Sequence, residues 1–201
     1  MKKIAVTGGI GSGKSMVSGY LARHYDLPVI DVDLECKNLL LPGREGLQAI
    51  KTRFGNRFIA PGGYLDRIRL REALFADASL RREVDRLIHP LARRAVAGRL
   101  AELDAEQVII DVPLLFEAGW RDDFHRVIVV FADRESRCRR IMERDRVSRR
   151  QAELAIEAQL PLSHKASLAD HVIDNSFCRV FTRLQTDHLA AVLFPGRMRR
   201  R

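Results

Sequence analysis

Eight residues near the start of the chain, Gly8-Gly9-Ile10-Gly11-Ser12-Gly13-Lys14-Ser15, have the types and spacing needed to hold a polyphosphate. Glycines at 8, 11 and 13 let the backbone take conformations closed to other residues and turn successive N–H groups inward as an anion-binding nest. Lys14 supplies a cation for the β- and γ-phosphates, and the Ser15 hydroxyl is placed to coordinate Mg²⁺. A helix beginning near Gly13 adds its unpaired amides and positive dipole end. The apolar run Ile4-Ala5-Val6 precedes the loop, and Met16, Val17, Tyr20 and Leu21 recur after it at helical spacing. Strand, G-x-x-x-x-G-K-[ST], helix is the context of a phosphate-binding P-loop, so the chain is expected to bind a nucleoside triphosphate.

Carboxylates and guanidiniums supply the remaining chemistry. A short strand ending in Asp31-Val32-Asp33 brings two carboxylates to the carboxyl end of a sheet, where ligands of open α/β folds bind. One could hold Mg²⁺ through its waters and the other could accept a hydroxyl proton. The plainer alternative is that Asp33 caps a helix over 34–41. Gln107-Val108-Ile109-Ile110-Asp111 reads as a buried strand closed by an acid, like a Walker B strand whose carboxylate serves the Mg²⁺ shell. Arg67 and Arg71 lie four apart on one helical face, as phosphate recognition requires, or as a solvated charged face presents. In the basic window 133–150, Arg137, Arg140 and Arg144 share a face. With the capping-box signature Ser148-x-x-Gln151 they suggest an arginine helix–turn–helix flap that closes over a triphosphate, one to three of its arginines being functional.

The elements that must position these groups alternate as in a parallel α/β domain. Continuous apolar runs at 4–6, 28–31, 107–112 and 126–132 read as buried strands, with a last short strand within 169–176. Between 34 and 105 the pattern is helical, with breaks at Pro42-Gly43 and Pro61-Gly62-Gly63. A long amphipathic helix there is interrupted by His89-Pro90, where proline should kink it. A closing helix over 180–194 stops at Pro195-Gly196.

At 201 residues, with 46% hydrophobic and 30% charged residues, the composition is that of one globular domain. The scattered Cys36, Cys138 and Cys178 fit a reducing, cytoplasmic setting and form neither a disulfide framework nor a zinc site. No segment has the apolar length of a membrane span, so no membrane partner is expected. The net charge of +9 raises the question of nucleic acid, yet the arginines are dispersed and no aromatic-interleaved basic stripe occurs. No nucleic-acid partner is expected, and the terminal Arg197-Met198-Arg199-Arg200-Arg201 reads as a frayed tail. A guanine-reading N-K-x-D motif, expected of a regulatory GTPase, is missing from the sequence. Another small-molecule P-loop kinase is the nearest alternative.

Taken together, TGGIGSGKS at 7–15, DVD at 31–33, LPG at 41–43, GYLDR at 63–67, LIHPL at 87–91, VPLLFE at 112–117, MERD at 142–145 and ADHVIDNS at 169–176 resemble the dephospho-CoA kinase family. The resemblance implies an α/β P-loop NTPase fold, three-layer α/β/α, with a five-stranded parallel sheet, a helical substrate lobe and a lid. It implies one domain over 1–201: a core of 1–32, 107–133 and 168–195, a CoA-binding lobe at 33–106, a lid at 134–167 and a basic tail at 196–201. The implied reaction moves the γ-phosphoryl group of ATP, with Mg²⁺, to the ribose 3′-hydroxyl of dephospho-CoA. Asp33 would be the general base, and Lys14 and Arg140 would stabilise the transition state. Nucleotide contacts would come from Gly9, Gly11, Ser12, Gly13, Lys14, Ser15 and Met16, with Arg144 and Asn175 near the adenine. Lys37, Arg67, Arg71 and His89 would meet the acceptor, and Ser15, Asp31 and Asp111 the metal. The sequence departs from the family at Met16 (usually threonine), Lys37 (usually arginine) and Phe177 (often glycine).

Overall fold

The first apolar run forms β1, Lys2–Gly8, whose residues from Ile4 onward are buried. A computed structural model describes residues 1–197 and 199, the side chain of Phe75 excepted. The chain then builds α1 (Lys14–Tyr25) and β2 (Val29–Asp31), and after a long helical excursion β3 (Gln107–Asp111) and β4 (Arg126–Phe131). β5 (His171–Asp174) completes a parallel sheet of five strands in the order β2-β3-β1-β4-β5. Near-continuous Val and Ile runs are what strands covered on both faces require.

Register matters more than order for the site. Val6 of β1 pairs with Asp111 of β3, and Asp31 of β2 pairs with Asp111 from the other side. Gly8 pairs with Val130. The carboxyl ends of three adjacent strands therefore present the glycine loop and two of the aspartates singled out above along one edge of the sheet. One core joins Ile4, Val6, Ile109, Ile128, Val130 and Ile173 of the sheet to Val17, Tyr20 and Leu21 of α1, together with Ala190 and Phe194. Residues Arg179–Leu193 form the closing helix of the chain. The fold is the three-layer α/β/α arrangement expected.

Two compact units emerge, residues 1–31 with 105–201, and residues 32–104. Within the second lie four helices, numbered here α2 to α5: Val32–Leu39, Glu45–Phe54, Arg67–Ala76 and Ala78–Ala101. Its buried residues are aliphatic, including Leu47, Ile50, Leu80, Val84, Ile88 and Ala92, with Phe58. Asp66 caps α4 by accepting from Arg69 N–H at 3.0 Å, and Asp77 caps α5 by accepting from Ser79 at 2.8 Å and Leu80 at 3.0 Å. Two expectations are corrected here. α2 starts at Val32, so Asp33 lies in its first turn and does not cap it. α5 continues as helix through Pro90, with Ile88, Leu91 and Ala92 buried on either side, so the expected interruption does not occur.

The stretch 134–167 belongs to the first unit. It holds α6 (Arg134–Asp145), α7 (Arg149–Glu157) and α8 (Leu162–Ser167), followed after β5 by the closing helix α9 already described. Asp133 caps α6 by accepting from Ser136 N–H at 2.8 Å, and this bond holds its carboxyl below the usual carboxylate range. The capping box at Ser148 and Gln151 forms as its spacing predicts. The frayed-tail expectation is corrected for Arg197 and Arg199. Arg197 Nη1 donates to Asp26 O at 2.6 Å and Tyr25 O at 3.1 Å, and Arg199 Nη1 lies 3.6 Å from Asp187. Met198, Arg200 and Arg201 lie outside the described residues.

Candidate active site at the phosphate loop

Between β1 and α1 the loop is shaped by two left-handed glycines, Gly11 at φ 76° and Gly13 at φ 90°. Gly13 is the N-cap of α1, and Met16 N–H closes back on Gly13 O at 2.9 Å. Gly8 is not left-handed. It is needed for closeness instead, because a Cβ there would meet Ser12 Oγ at 2.5 Å and Val130 O at 2.7 Å. Nor do all the loop amides turn inward as the motif suggests. Ser12 N–H donates to Gly9 O at 3.0 Å, and Ile10 N–H donates outward to Gln159 Oε1 at 2.8 Å.

Lys14, in the first turn of α1, makes an ion pair with Asp111. Asp111 is buried, and its Oδ2 accepts from the Ser18 hydroxyl at 2.7 Å. The cation expected to serve phosphate is thus held at the carboxyl end of β3 by the aspartate singled out there. Asp31, in register with Asp111 on the next strand, is exposed, as is Ser15. The Ser12 hydroxyl is buried with no hydrogen-bond partner among the described residues. These donors fit hydrated Mg²⁺ carried in with a nucleotide. Mg²⁺ takes one or two carboxylates, waters and phosphate oxygens rather than a protein cage, and no cluster of three or more His, Cys, Asp or Glu occurs among the described residues.

The arginine face of α6 divides along its length. Arg137 is 5% exposed and donates through Nε to Ile10 O at 3.0 Å. Burial, with a smaller push from Arg134, lowers its pKa. Arg140 donates through Nη2 to Asn175 O at 2.7 Å and through Nη1 to Gly11 O at 3.3 Å. One turn on, Arg144 is exposed and gripped by Asp145 through two bonds of 2.8 Å. Arg137 and Arg140 dock α6 on the loop's carbonyls, because a loop that turns amides toward an anion leaves carbonyls needing donors.

Asn175 is likewise consumed by structure. Its Nδ2 donates to Ser12 O at 2.7 Å and its Oδ1 accepts from the Thr182 hydroxyl of α9 at 2.8 Å. Of the two residues expected near the adenine, Asn175 holds the loop and Arg144 makes a surface pair with Asp145. The Met16 side chain packs on the sheet core and its amide closes the first helical turn. Phe177 is exposed, edge-on to Phe181 with ring centroids 5.9 Å apart.

In the helical unit Lys37, Arg67 and Arg71 are exposed on α2 and α4, and His89 is half-buried on α5 with Nε2 3.8 Å from Asp85. Asp33 is exposed in the first turn of α2, two residues beyond Asp31. Sequence reasoning did not single out Gln159 or Lys165. Lys165 Nζ lies 2.6 Å from Glu117 Oε1 with no solvent exposure. The only sequence signal was a lysine in a helix too short to show a period.

The family model for dephospho-CoA kinase matches residues 2–178. A dephospho-CoA kinase of Geobacter sulfurreducens is 41% identical over 198 residues, covering 97% of this chain and 100% of that protein. One from Synechococcus elongatus is 38% identical over 187 residues, covering 92% and 90%. Among solved structures, a Thermus thermophilus protein superposes with a TM-score of 0.86 at 30% identity, covering 97% of this chain and 98% of its own. A dephospho-CoA kinase from Campylobacter jejuni gives 0.70 at 25%, covering 98% and 100%. Shikimate kinase from Bacteroides thetaiotaomicron, at 0.55 and 16%, shares the fold. The chain belongs to the dephospho-CoA kinase family and is an enzyme of coenzyme A biosynthesis, phosphorylating dephospho-CoA with ATP.

Proposed function

We propose that phosphoryl transfer to the ribose 3′-hydroxyl of dephospho-CoA is carried by Lys14 and the loop amides on the phosphate side and by Asp33 on the acceptor side. The observation that carries this is the Lys14–Asp111 pair at the carboxyl end of β3, with Asp31 in register beside it. Little covalent chemistry is asked of the protein, so positioning and electrostatic stabilisation account for the rate. A ribose hydroxyl is a weak acid whose proton leaves late, so Asp33 chiefly orients it and takes the proton as the bond to phosphorus forms. Ser15, Asp31 and Asp111 are the residues that would hold Mg²⁺, which when bound neutralises charge on the β- and γ-phosphate oxygens. Lys37, Arg67, Arg71 and His89 of the helical unit are assigned to the acceptor. Arg140 contributes positive charge beside Gly11 and Ser12. Three free cysteines support a cytoplasmic setting, and no helix among the described residues is long and apolar enough to cross a membrane. The test is ADP release with dephospho-CoA compared with nucleoside monophosphates and shikimate as acceptors. Dephospho-CoA alone should support turnover, and equal rates with another acceptor overturn the assignment.

A further inference from the structure

The phosphate loop has an outer side, and its partners there are charged or polar side chains from distant parts of the chain. Ile10 is fixed three ways: its N–H by Gln159, its carbonyl by Arg137, and its side chain by packing on the small core of Cys138, Ile141, Ala152 and Ile156. At the loop's first residue, Lys165 Nζ faces Gly8 O at 3.4 Å. Lys165 is the least expected of these groups, since it is fully buried and an ammonium loses its hydration there. Glu117, 2.6 Å away, offsets that cost. A lysine that merely filled space would be matched or bettered by an apolar side chain of the same volume.

What a cation does at this place is directional. Paired with Glu117, Lys165 keeps little long-range field, so its effect is local: it fixes the direction of the Gly8 carbonyl from which the loop departs. Glu117 also accepts from Leu160 N–H at 3.2 Å, and Leu160 follows Gln159 directly. The segment 159–165 is thereby tied at one end to Ile10 and at the other to Gly8, with Glu117 clasping it from the loop after β3. We infer that Lys165 and Gln159 are positioning residues for the phosphate loop, setting its amides for ATP without touching the nucleotide themselves. This rests on the reading of the loop as the ATP site.

The test is calorimetric titration of the full chain with MgATP and, separately, with dephospho-CoA, beside steady-state KM values and thermal melting. Lys165→Met combined with Glu117→Gln removes both charges and keeps the volumes. Gln159→Ala alters a half-exposed position that folding tolerates. Each variant should bind MgATP about tenfold more weakly, by loss of a preset loop geometry. KM for ATP should rise in parallel, while dephospho-CoA affinity and the melting temperature stay close to those of the unaltered chain. An unaltered chain that fails to bind MgATP overturns the reading of the loop itself. An unaltered chain that binds, alongside folded variants binding within twofold of it, overturns the inference and leaves Lys165 and Gln159 as structural groups. Should the double variant not fold, Gln159→Ala alone decides in the same way.

Discussion

At the scale of single residues, the site is a set of paired charges. Lys14 is held on Asp111. Replacing Lys14 with methionine should lower kcat/KM at least about 10²-fold, the scale of one lost transition-state charge contact, and should also lower the melting temperature, because buried Asp111 loses its ion-pair partner. Asp33→Ala should lower kcat by about 10²- to 10⁴-fold, the usual general-base contribution, with MgATP affinity kept. A kcat unchanged in that variant removes Asp33 from the mechanism. Gly13 is a backbone requirement: its φ is 90° and a Cβ would strike the Asn175 amide. Gly13→Ala should cost about 1–3 kcal/mol of stability through backbone strain, read as a lower denaturation midpoint, and should weaken MgATP binding.

Among the elements, α6 carries the most consequence, because Arg137 and Arg140 hang the loop's carbonyls on it. Its start depends on Asp133, whose carboxylate accepts from Ser136 N–H. Asp133→Ala should destabilise the fold by about 1 kcal/mol, the ordinary worth of an N-cap. The pH dependence has a definite sign. The folded-state pKa of Asp133 is depressed, so its stabilisation is complete above the unfolded carboxylate pKa and is lost as pH falls through the lower folded value. A melting series from neutral to acid should show a drop in the parent that is smaller in Asp133→Asn. The periodicity of α6 was legible in the sequence, as were Arg137 and Arg140 on one face. Their contacts were not, since Ile10 and Gly11 lie more than a hundred positions away in the chain. Arg144 continues the same face but overruns the loop and meets Asp145 instead.

For the molecule as a whole, α9 fastens the end of the chain to the first helix. Asp187 accepts from both Tyr20 and Tyr25 hydroxyls at 2.8 Å, and burial together with those bonds raises both phenols above their ordinary pKa. Removing Asp187 would leave two phenols unmatched, so Asp187→Ala should cost about 1–3 kcal/mol in a denaturant titration. kcat in that variant should stay within about twofold, since α9 meets the loop through Asn175 and Thr182 rather than through Asp187.

What the amino-acid sequence determined by itself is what depends on neighbours in the chain. Strand runs ending in Asp31 and Asp111, the glycine spacing from Gly8 to Gly13, the caps at Ser148 and the helix starting at Lys14 all follow from local steric and hydrogen-bonding rules. The family-level chemistry followed from those motifs in order. Tertiary structure alone decided which side chains face the loop's carbonyls, because each carbonyl takes whatever donor the packing of distant helices delivers. It put Asn175 on Ser12, Arg137 and Gln159 on Ile10, and Lys165 on Gly8. A buried lysine reads in sequence as a surface lysine until the fold closes over it.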